Sequence, residues 1–446
     1  MTEVFLIRAR WIVPVEPAAA VLEDHVVAVS DGRVEALLPA TEAALRFPGC
    51  RTIELAEHAL IPGLVNAHTH AAMSLLRGLA DDLPLMRWLQ EHIWPAEMRH
   101  ASPQFVHDGT LLACAEMLRG GVTCFNDMYY FPEAALDAAR VAGMRAVLGM
   151  IVIEFPTAYA SDPDDYLHKG LALRDRYADS PLVSFCLAPH APYTVSDATF
   201  RKVAKLAAEL ELPVHVHVHE TDEEVERSVA EHGVRPLERL RRLGLLGPDL
   251  IAVHAVHLSP DEIGLLATHG ASVAHCPSSN LKLASGLAPV AQLARAGVNV
   301  ALGTDGAASN NRLDMFQEMR TAAMLAKAVA HDAQAMPARA ALRAATLAGA
   351  QALGIGSRTG SIVPGKAADL TAVRLSGVEL SPCYDPVSHL VYAAGREHVT
   401  HVWVGGQLRV ADGVLQGIDL TGLDSRCKLW QNILASSFAV RRASDK

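Results

Sequence analysis

Short apolar runs broken by polar residues occur near both ends of the chain and predict β-strands. Six runs have this pattern, at residues 5–13, 25–30, 33–38, 368–373, 399–404 and 407–410. Turn-forming pairs separate several of them, namely Asp31-Gly32, Gly405-Gly406 and Asp412-Gly413. Because the termini of a domain often lie close together, we expect both ends of the chain to build one small β-sandwich domain.

The middle of the chain alternates between strand-like and helical segments. Eight apolar runs predict strands at residues 60–67, 122–126, 145–152, 183–188, 214–219, 251–256, 272–275 and 298–303. Helix ends are readable between them, since Ser259 to Glu262 forms a capping box and Gly143 and Gly297 stand where helices should end. This alternation over residues 59–365 predicts a (β/α)8 barrel of the TIM type, a fold that spans roughly 200 to over 400 residues.

A doubly wound open sheet is the structural alternative. Its first strand-to-helix turn would carry glycines, whereas this chain has His68-Thr69-His70 there. The barrel is therefore favoured. The predicted α/β protein then has three segments: the N-terminal portion of the sandwich at residues 1–58, the barrel at 59–365, and the C-terminal portion of the sandwich with a final helix at 366–446.

Composition limits the classes of partner. The chain has 446 residues, of which 50% are apolar and 20% charged, and its net charge is −10. No basic stripe is present, so nucleic acid and anionic membranes are poor candidates, and a neutral or cationic small molecule fits better. The sequence shows no signal-peptide pattern and no apolar run of about 18 residues. With seven scattered cysteines and no Cys-x-x-Cys, we expect a cytoplasmic protein with reduced thiols.

Two histidines follow the first predicted barrel strand. His68 and His70 are two residues apart, so both imidazoles point to the same face of the strand. They stand at the carboxyl end, where barrel enzymes place their active sites. A lone His-x-His pair is weak evidence for a metal site, and its value depends on the other strand ends.

The fifth predicted strand carries three alternating histidines followed by an acid. His215, His217 and His219 face the barrel interior at different depths, and Glu220 comes directly after the strand. His217 lies nearest the mouth and is the best ligand candidate. His215 is expected to be a core histidine, and His219 to line the rim of the pocket.

Further candidates stand at the ends of the later strands. His254 ends the sixth strand and Asp305 the eighth, whereas His257 is expected to pack or cap. His275 ends the seventh strand and also faces the mouth, and Cys276 beside it is expected to be a packing residue. Because four strand ends each supply a ligand or a proton carrier, coincidence is a poor explanation.

His68, His70, His217 and Asp305 together offer three imidazoles and one carboxylate. This donor set suits one Zn²⁺, and iron accepts the same donors. Such an ion lowers the pKa of a bound water to about 7 and supplies hydroxide at neutral pH. Glu220 is placed to act as general acid and base. The residues alone therefore predict a metal-dependent hydrolase.

The sequence resembles the amidohydrolase superfamily, and more narrowly its methylthioadenosine/S-adenosylhomocysteine deaminase branch. The resemblance rests on Pro-Gly-Leu-Val-Asn-Ala-His-Thr-His at residues 62–70, His-Val-His-Glu-Thr at 217–221, His254, Asn-Leu-Lys-Leu at 280–283, Gly-Thr-Asp-Gly-Ala-Ala-Ser-Asn-Asn at 303–311, and Gly-Ser-Ile-Val-Pro-Gly-Lys-Ala-Ala-Asp-Leu at 360–370. It implies a distorted barrel beside a composite β-sandwich. Binuclear relatives use a modified lysine at the end of strand four. Residues 183–190 contain no lysine, which implies a single ion.

The resemblance also implies roles in deamination of an adenine nucleoside at C6. His254 would orient the attacking hydroxide, Asp305 would relay a proton as well as bind metal, and Glu220 would protonate a ring nitrogen. Glu97 would accept hydrogen bonds from both ribose hydroxyls, and His190 would contact the purine.

Three further substrate contacts complete the prediction. Trp88 is expected to wall the pocket, and Ser309 belongs to the last active-site motif. Relatives that accept S-adenosylhomocysteine place arginine at the end of strand three, but residues 149–155 contain none. A buried carboxylate would lack a bidentate partner there, whereas Met150 or Ile151 would suit a methylthio group. The hypothesis is therefore 5′-methylthioadenosine first, adenosine second and S-adenosylhomocysteine last.

Two alternatives stay open at this point. A guanine, pterin or triazine deaminase or hydrolase would share the metal centre, with Glu97 as the residue that distinguishes a nucleoside enzyme from them. A non-catalytic scaffold is disfavoured, because every candidate ligand and Glu220 are present. The oligomeric state is not readable from the sequence, and a homo-oligomer is compatible with this architecture.

Overall fold

The computed structural model describes residues 4–444, which form two eight-stranded sheets and seventeen α-helices. The strands are β1 (Phe5–Ile12), β2 (His25–Ser30), β3 (Arg33–Pro39), β4 (Arg51–Pro62), β5 (Leu64–Thr69), β6 (Val122–Met128), β7 (Arg145–Val152), β8 (Val183–Pro189), β9 (Val214–Val218), β10 (Leu250–His254), β11 (Ser272–His275), β12 (Asn299–Leu302), β13 (Leu370–Arg374), β14 (Val399–Val404), β15 (Gln407–Ala411) and β16 (Val414–Leu415). The helices are α1 (Ala40–Arg46), α2 (Leu85–Trp88), α3 (Trp94–His100), α4 (Pro103–Arg119), α5 (Pro132–Ala142), α6 (Pro163–Arg176), α7 (Asp197–Leu210), α8 (Asp222–His232), α9 (Pro236–Arg242), α10 (Pro260–His269), α11 (Pro277–Lys282), α12 (Val290–Arg295), α13 (Met315–Ala330), α14 (Ala338–Ala344), α15 (Leu347–Ala352), α16 (Pro386–Tyr392) and α17 (Leu420–Ser444).

One sheet combines strands from both ends of the chain. Its order is β16-β15-β14-β13-β4-β1-β2-β3, with β13 antiparallel to β4 and β1 parallel to it. The hairpin of β2 and β3 folds back onto the other half of the sheet, where Val34 N donates to Lys366 O across 2.8 Å. An apolar core that includes Ile7, Val27 and Trp403 fills the space between the halves. The expected composite β-sandwich is confirmed.

The other sheet is the barrel. Its eight strands β5 to β12 follow one another in chain order and pair in parallel, with helices between them. The first and last strands meet through side chains. Asn66 Nδ2 donates to Thr304 Oγ1 at 2.7 Å, and Thr304 N donates to Asn66 Oδ1 at 2.9 Å. The predicted (β/α)8 barrel is confirmed.

The first predicted barrel strand is shared between the two sheets. Residues up to Pro62 belong to β4 in the terminal sheet, and only those from Leu64 onward belong to the barrel. Gly63 lies between them against Thr123, where an added Cβ would overlap the threonine side chain. A continuous apolar run therefore contains a change of sheet that periodicity does not reveal. The domain boundaries at residues 58 and 365 stay a prediction.

A buried ion pair joins the two sheets. Arg145 at the start of β7 donates to both carboxylate oxygens of Asp369, at 2.8 and 3.2 Å. The same carboxylate accepts from Thr359 Oγ1 at 2.9 Å and from Gly405 N at 2.7 Å. Four donors therefore satisfy a carboxylate that is fully removed from solvent, as buried charges require.

Helix α17 packs against barrel helix α4. Trp430 Nε1 donates to Asp108 Oδ2 at 3.0 Å, and its ring meets Phe105 edge to face at 5.2 Å. Within residues 4–444, we find no helix with the length and apolarity that a bilayer crossing requires.

Candidate metal centre and active-site cavity

The carboxyl ends of strands β5, β9 and β12 bring the predicted ligands together. Oδ1 of Asp305 lies 3.4 Å from Nε2 of His68 and 3.4 Å from Nε2 of His70. Nε2 of His217 lies 3.3 Å from Nε2 of His68. His254, at the end of β10, forms a second close group with His68 and His217. All five side chains therefore surround one point at the mouth of the barrel.

Backbone carbonyls fix the tautomers of two of these histidines. Nδ1 of His70 donates to Met128 O at 2.7 Å, and Nδ1 of His217 donates to His190 O at 2.7 Å. Nδ1 of His68 lies 3.0 Å from Nε2 of His215. With Nδ1 engaged in each case, the Nε2 lone pairs face one another and Asp305. This is how proteins orient histidines that bind metal, so the donor set fits a zinc ion.

Burial favours the neutral form of His68 and His217, which is the form that metal binding needs. It lowers the pKa of His68 to about 4, and it lowers the pKa of His217 well below the usual range. Burial opposes ionisation of Asp305, but the bond to His68 and the nearby histidines hold its pKa well below the ordinary value. Neutral nitrogens and an ionised carboxylate are the ligand states that Zn²⁺ takes.

Three strand ends of the site adopt left-handed backbone conformations. His219, His254 and Asp305 have φ values of 59°, 68° and 61°. Such conformations are uncommon for residues other than glycine and concentrate at functional sites. In each case the turn directs the chain away from the strand just where a site residue stands.

Two hydroxyl and amide contacts hold Asp305 in place. Ser279 Oγ donates to its Oδ2 at 2.6 Å, and Gly306 N donates to its Oδ1 at 2.7 Å. Asp305 N also donates to His68 O at 3.0 Å. The sequence gives no reason to select Ser279, because a serine in the first turn of a short helix is common.

Glu220 and His254 face each other beside the ligands. Nε2 of His254 lies 3.6 Å from Oε2 of Glu220, and Nδ1 of His254 lies 2.9 Å from Oδ1 of Asn280. Burial, with the charge of Asp305, raises the pKa of Glu220 to about 8. A carboxyl group that is protonated at neutral pH can donate a proton to a substrate.

Glu224 holds the chain that carries Glu220. Its two carboxylate oxygens accept from His219 N at 2.9 Å and Glu220 N at 2.8 Å. Helix α8 starts at this point, with Thr221 as its N-cap. Neither Glu224 nor Asn280 received a role from the sequence, although Asn280 stands in one of the recognised motifs.

The site opens into a narrow cavity of about 60 Å³. The lining residues are His70, Met73, Leu85, Trp88, Leu89, Trp94, Glu97, Met128, Tyr129, Tyr130, Ile151, His190, Tyr193, His217, Glu220, His254, Leu283 and Asp305. Trp88, Glu97 and His190, which the sequence placed in the substrate site, all line it.

Glu97 is buried in the wall of this cavity. Burial raises its pKa to about 7, and the neighbouring Tyr129 opposes that change. Burial lowers the pKa of His190 to about 3, so this imidazole is neutral, and its Nδ1 lies 2.9 Å from Thr194 Oγ1.

Several predicted residues lie outside the cavity. Met150 points away from the barrel mouth and packs against Gly170 of α6, whereas the next residue, Ile151, lines the cavity. The alternation of side chains along a strand explains this difference. Ser309 Oγ donates to Gly306 O at 3.1 Å and stabilises the turn. The structure therefore favours Ile151 over Met150 as a lining residue of the substrate cavity. Ser309 stabilises a turn and does not line the cavity.

The remaining histidines pack around the site. His219 is buried behind the rim rather than on it, with Nε2 3.0 Å from Leu237 N and 3.2 Å from Glu262 Oε1. The prediction that His219 lies on the rim is wrong, because the backbone makes a left-handed turn at this residue. His257 Nε2 donates to Ser285 O at 2.6 Å, as a packing residue does. His275 borders a separate small cavity, and Cys276 is fully buried.

The chain is similar to known proteins over most of its length. Residues 59–409 match the amidohydrolase family. A 5-methylthioadenosine/S-adenosylhomocysteine deaminase of Saccharophagus degradans is 48% identical over 441 residues, which cover 99% of this chain and 98% of that protein. The protein of the same name from Teredinibacter turnerae is 47% identical over 428 residues, covering 96% and 97%.

A solved structure is similar over almost the whole fold. It is an adenosine deaminase from Xanthomonas campestris with bound zinc, 54% identical to this chain. The TM-score is 0.95, and the similarity covers 97% of this chain and 98% of that one.

Proposed function

This chain belongs to the amidohydrolase family, and on that premise we propose that it hydrolyses the C6 amino group of adenine nucleosides, with 5′-methylthioadenosine as the preferred substrate. One observation carries the proposal. The cavity that contains the converging Nε2 atoms and Asp305 also contains Glu97, a buried carboxyl group placed away from the ligands. In such a cavity the adenine base can lie at the metal site while Glu97 accepts hydrogen bonds from the ribose.

The ligands proposed for one zinc ion are His68, His70, His217 and Asp305. When bound, the ion supplies a nucleophilic water whose pKa is lowered to about 7. The relatives named as deaminases and the zinc-containing adenosine deaminase support this assignment.

The side chains of the site then divide the proton transfers. Glu220, whose pKa burial raises to about 8, donates a proton to a ring nitrogen of adenine as C6 becomes tetrahedral. His254 orients the nucleophile with its Nε2 nitrogen. Asp305 accepts a proton from the nucleophile and passes that proton to the departing amine. Water is consumed, ammonia leaves, and the inosine analogue is the product.

Glu97 and His190 hold the nucleoside. The carboxylate of Glu97 accepts hydrogen bonds from the two ribose hydroxyls, and His190 contacts the purine. Trp88 and Ile151 supply apolar walls. Strand β7 and the residues after it, 145–155, contain no arginine beyond Arg145 at the far end, and Arg145 is bonded to Asp369. A methylthio group therefore suits this wall better than a carboxylate does.

Ammonia release from zinc-loaded protein tests the proposal. The panel is 5′-methylthioadenosine, adenosine, S-adenosylhomocysteine, adenine and guanine, with kcat/KM as the readout. We expect kcat/KM to fall from 5′-methylthioadenosine to adenosine to S-adenosylhomocysteine. The free bases adenine and guanine should show little activity. A clear preference for S-adenosylhomocysteine would contradict the argument from the missing arginine. Faster hydrolysis of guanine than of any nucleoside would favour the guanine-deaminase alternative.

A substitution at Glu97 sharpens this test. Glu97→Ala should lower kcat/KM for nucleosides strongly and leave any activity on free bases unchanged, because bases have no ribose to bind. Equal losses for both classes would contradict the ribose contact.

We also propose that the reaction takes place in the cytoplasm. The seven cysteines form no disulfide, as is usual in reducing compartments. Pairing of two copies is likewise a proposal, and sedimentation at micromolar concentration tests it.

A further inference from the structure

A second cavity lies directly beside the active-site cavity. We name it the side chamber; it has a volume of about 390 Å³ and shares the lining residues Trp94, Glu97 and Tyr130 with the active-site cavity. The two cavities therefore adjoin at the carboxyl group that the proposed function assigns to the ribose. A nucleoside with its base at the metal centre and its ribose at Glu97 has the side chamber next to its sugar.

The side chamber is lined mostly by apolar side chains, five of which are aromatic. Beyond the shared residues it is lined by Gln90, Pro95, Met98, Ala101, Phe131, Phe155, Pro156, Thr157, Ala158 and Tyr159. Trp94 meets Phe155 edge to face with ring centres 6.3 Å apart, and Phe131 meets Tyr159 at 5.3 Å. Phe155 and Met98 are 40% and 75% exposed. Apolar side chains grouped beside a pocket and open to solvent mark a binding surface.

Among the described lining residues, none is a lysine or an arginine. A lysine lies close to the chamber, with Nζ of Lys169 5.5 Å from the ring centre of Tyr159. That ammonium donates to Tyr159 O at 2.6 Å and to Asp165 Oδ2 at 2.9 Å. It is therefore already engaged by an acceptor and a counter-charge, and the chamber offers no free cation for a carboxylate.

Phe131 enters the chamber from a left-handed backbone conformation. Its φ is 52°, at the residue that precedes helix α5. A bulky residue adopts this conformation only where its surroundings enforce it, and such residues concentrate at ligand sites. The strained turn directs the aromatic ring towards Tyr159.

We propose that the side chamber binds the 5′ substituent and admits large apolar groups, so that 5′-arylthio and 5′-aralkylthio adenosines are substrates along with 5′-methylthioadenosine. This inference rests on the proposed function. The chamber's volume greatly exceeds the requirement of one methylthio group, and its aromatic faces match a ring at the 5′ position. Its lack of a free cation disfavours the amino-acid tail of S-adenosylhomocysteine.

The test compares four nucleosides on the zinc-loaded, unaltered protein. They are 5′-methylthioadenosine, 5′-benzylthio-5′-deoxyadenosine, adenosine and S-adenosylhomocysteine, with kcat/KM from ammonia release. We expect kcat/KM for the benzylthio compound to lie within about tenfold of that for 5′-methylthioadenosine and to exceed that for adenosine by about tenfold, the gain typical of burying a further apolar group. S-adenosylhomocysteine should fall at least about tenfold below the benzylthio compound.

A matched pair of variants assigns the effect to the chamber. Phe155→Arg should lower the benzylthio-to-adenosine ratio of kcat/KM by about tenfold and raise the ratio for S-adenosylhomocysteine, since a guanidinium would face its carboxylate. Leu45→Arg adds the same charge at a leucine that is 84% exposed on α1, and it should change neither ratio.

The outcomes separate the two levels of inference. Suppose that adenosine and 5′-methylthioadenosine are deaminated rapidly but kcat/KM for the benzylthio compound is more than about tenfold below that for 5′-methylthioadenosine. This result would overturn the proposed role of the side chamber and leave the proposed function standing. Unchanged ratios in Phe155→Arg would also overturn the chamber. Failure of all four nucleosides to release ammonia would overturn the proposed function, and this inference with it.

Discussion

The imidazole of His254 donates its Nδ1 hydrogen to Oδ1 of Asn280 across 2.9 Å. This bond leaves Nε2 unprotonated on the side of Glu220, whose Oε2 lies 3.6 Å away. The amide therefore decides which nitrogen of His254 can accept a hydrogen bond from a nucleophile.

Replacing Asn280 should remove that control of the tautomer. We expect Asn280→Ala to lower kcat by about 10–100-fold with little change in KM, as is common when a partner that orients a site histidine is lost. Steady-state kinetics on 5′-methylthioadenosine measures the effect. Asn280→Asp, which keeps the acceptor, should retain more activity than the alanine variant. Equal activity of both variants and the unaltered protein would contradict the positioning role.

Removing the hydroxyl of Ser279 should weaken metal binding. It donates to Asp305 at 2.6 Å, and partners of metal ligands typically contribute about 10–100-fold in affinity. We expect Ser279→Ala to raise the dissociation constant for zinc by about that factor, measured by competition with a chelator. Ser228→Ala, which removes a buried hydroxyl bonded to Val234 O, should leave zinc affinity unchanged.

Glu220→Gln should separate chemistry from metal binding. The amide cannot carry the proton that Glu220 delivers, so kcat should fall by about 10²–10⁴-fold. Zinc content should stay at one ion per chain, because Glu220 is outside the proposed ligand set. Loss of zinc together with activity would instead identify Glu220 as a ligand.

The acid side of the pH profile should report on Glu97. Its pKa is about 7 because it is buried, so the carboxyl is protonated below that value and ionised above it. Ribose hydroxyls need an ionised acceptor. KM for nucleosides should therefore rise as pH falls through 7, by about tenfold per unit, and stay constant above it. In Glu97→Gln, KM should be raised at every pH and lose this dependence; a dependence that persists would exclude Glu97 as its source.

The ion pair between Arg145 and Asp369 should support stability out of proportion to its size. Arg145→Met leaves the fully buried Asp369 carboxylate without its counter-charge, which typically costs about 3–5 kcal/mol. Lys205→Met, which breaks an exposed pair with Glu209, should cost less than about 1 kcal/mol. Chemical denaturation of both variants gives the two free energies of unfolding. A loss below about 1 kcal/mol for Arg145→Met would contradict the argument.

The sequence predicts the barrel because parallel strands buried on both faces read as short apolar runs with helices between them. It also predicts the candidate ligands, because the carboxyl ends of the barrel strands meet at one face and three such ends carry His68, His70, His217 and Asp305. A histidine at a strand end is not sufficient, since His275 borders a separate small cavity. The change of sheet at Gly63 is hidden, because β4 and β5 are equally apolar. The rim position expected of His219 is wrong, because alternation along a strand does not foresee a left-handed turn at its end.

The contacts that orient the site are the least predictable from the sequence. Ser279, Asn280 and Glu224 act through bonds to Asp305, His254 and the backbone at Glu220. The bonds of Ser279 and Asn280 join residues 26 positions apart, so they depend on how neighbouring strand ends are placed. Serine and asparagine are common after strands and at helix starts, so composition gives no reason to select them. The bond of Glu224 is local to the start of α8, where Thr221 and Glu224 have the spacing of a capping box.

The barrel closes where its first and last strands meet at Asn66 and Thr304, and three of the four candidate ligands stand at that seam. His68 and His70 belong to the opening strand or follow it, and Asp305 follows the closing one. Asp305 comes more than two hundred residues after these two histidines in the sequence. The complete set of candidate ligands is therefore assembled only when the first and last strands pair, so metal affinity depends on closure of the barrel.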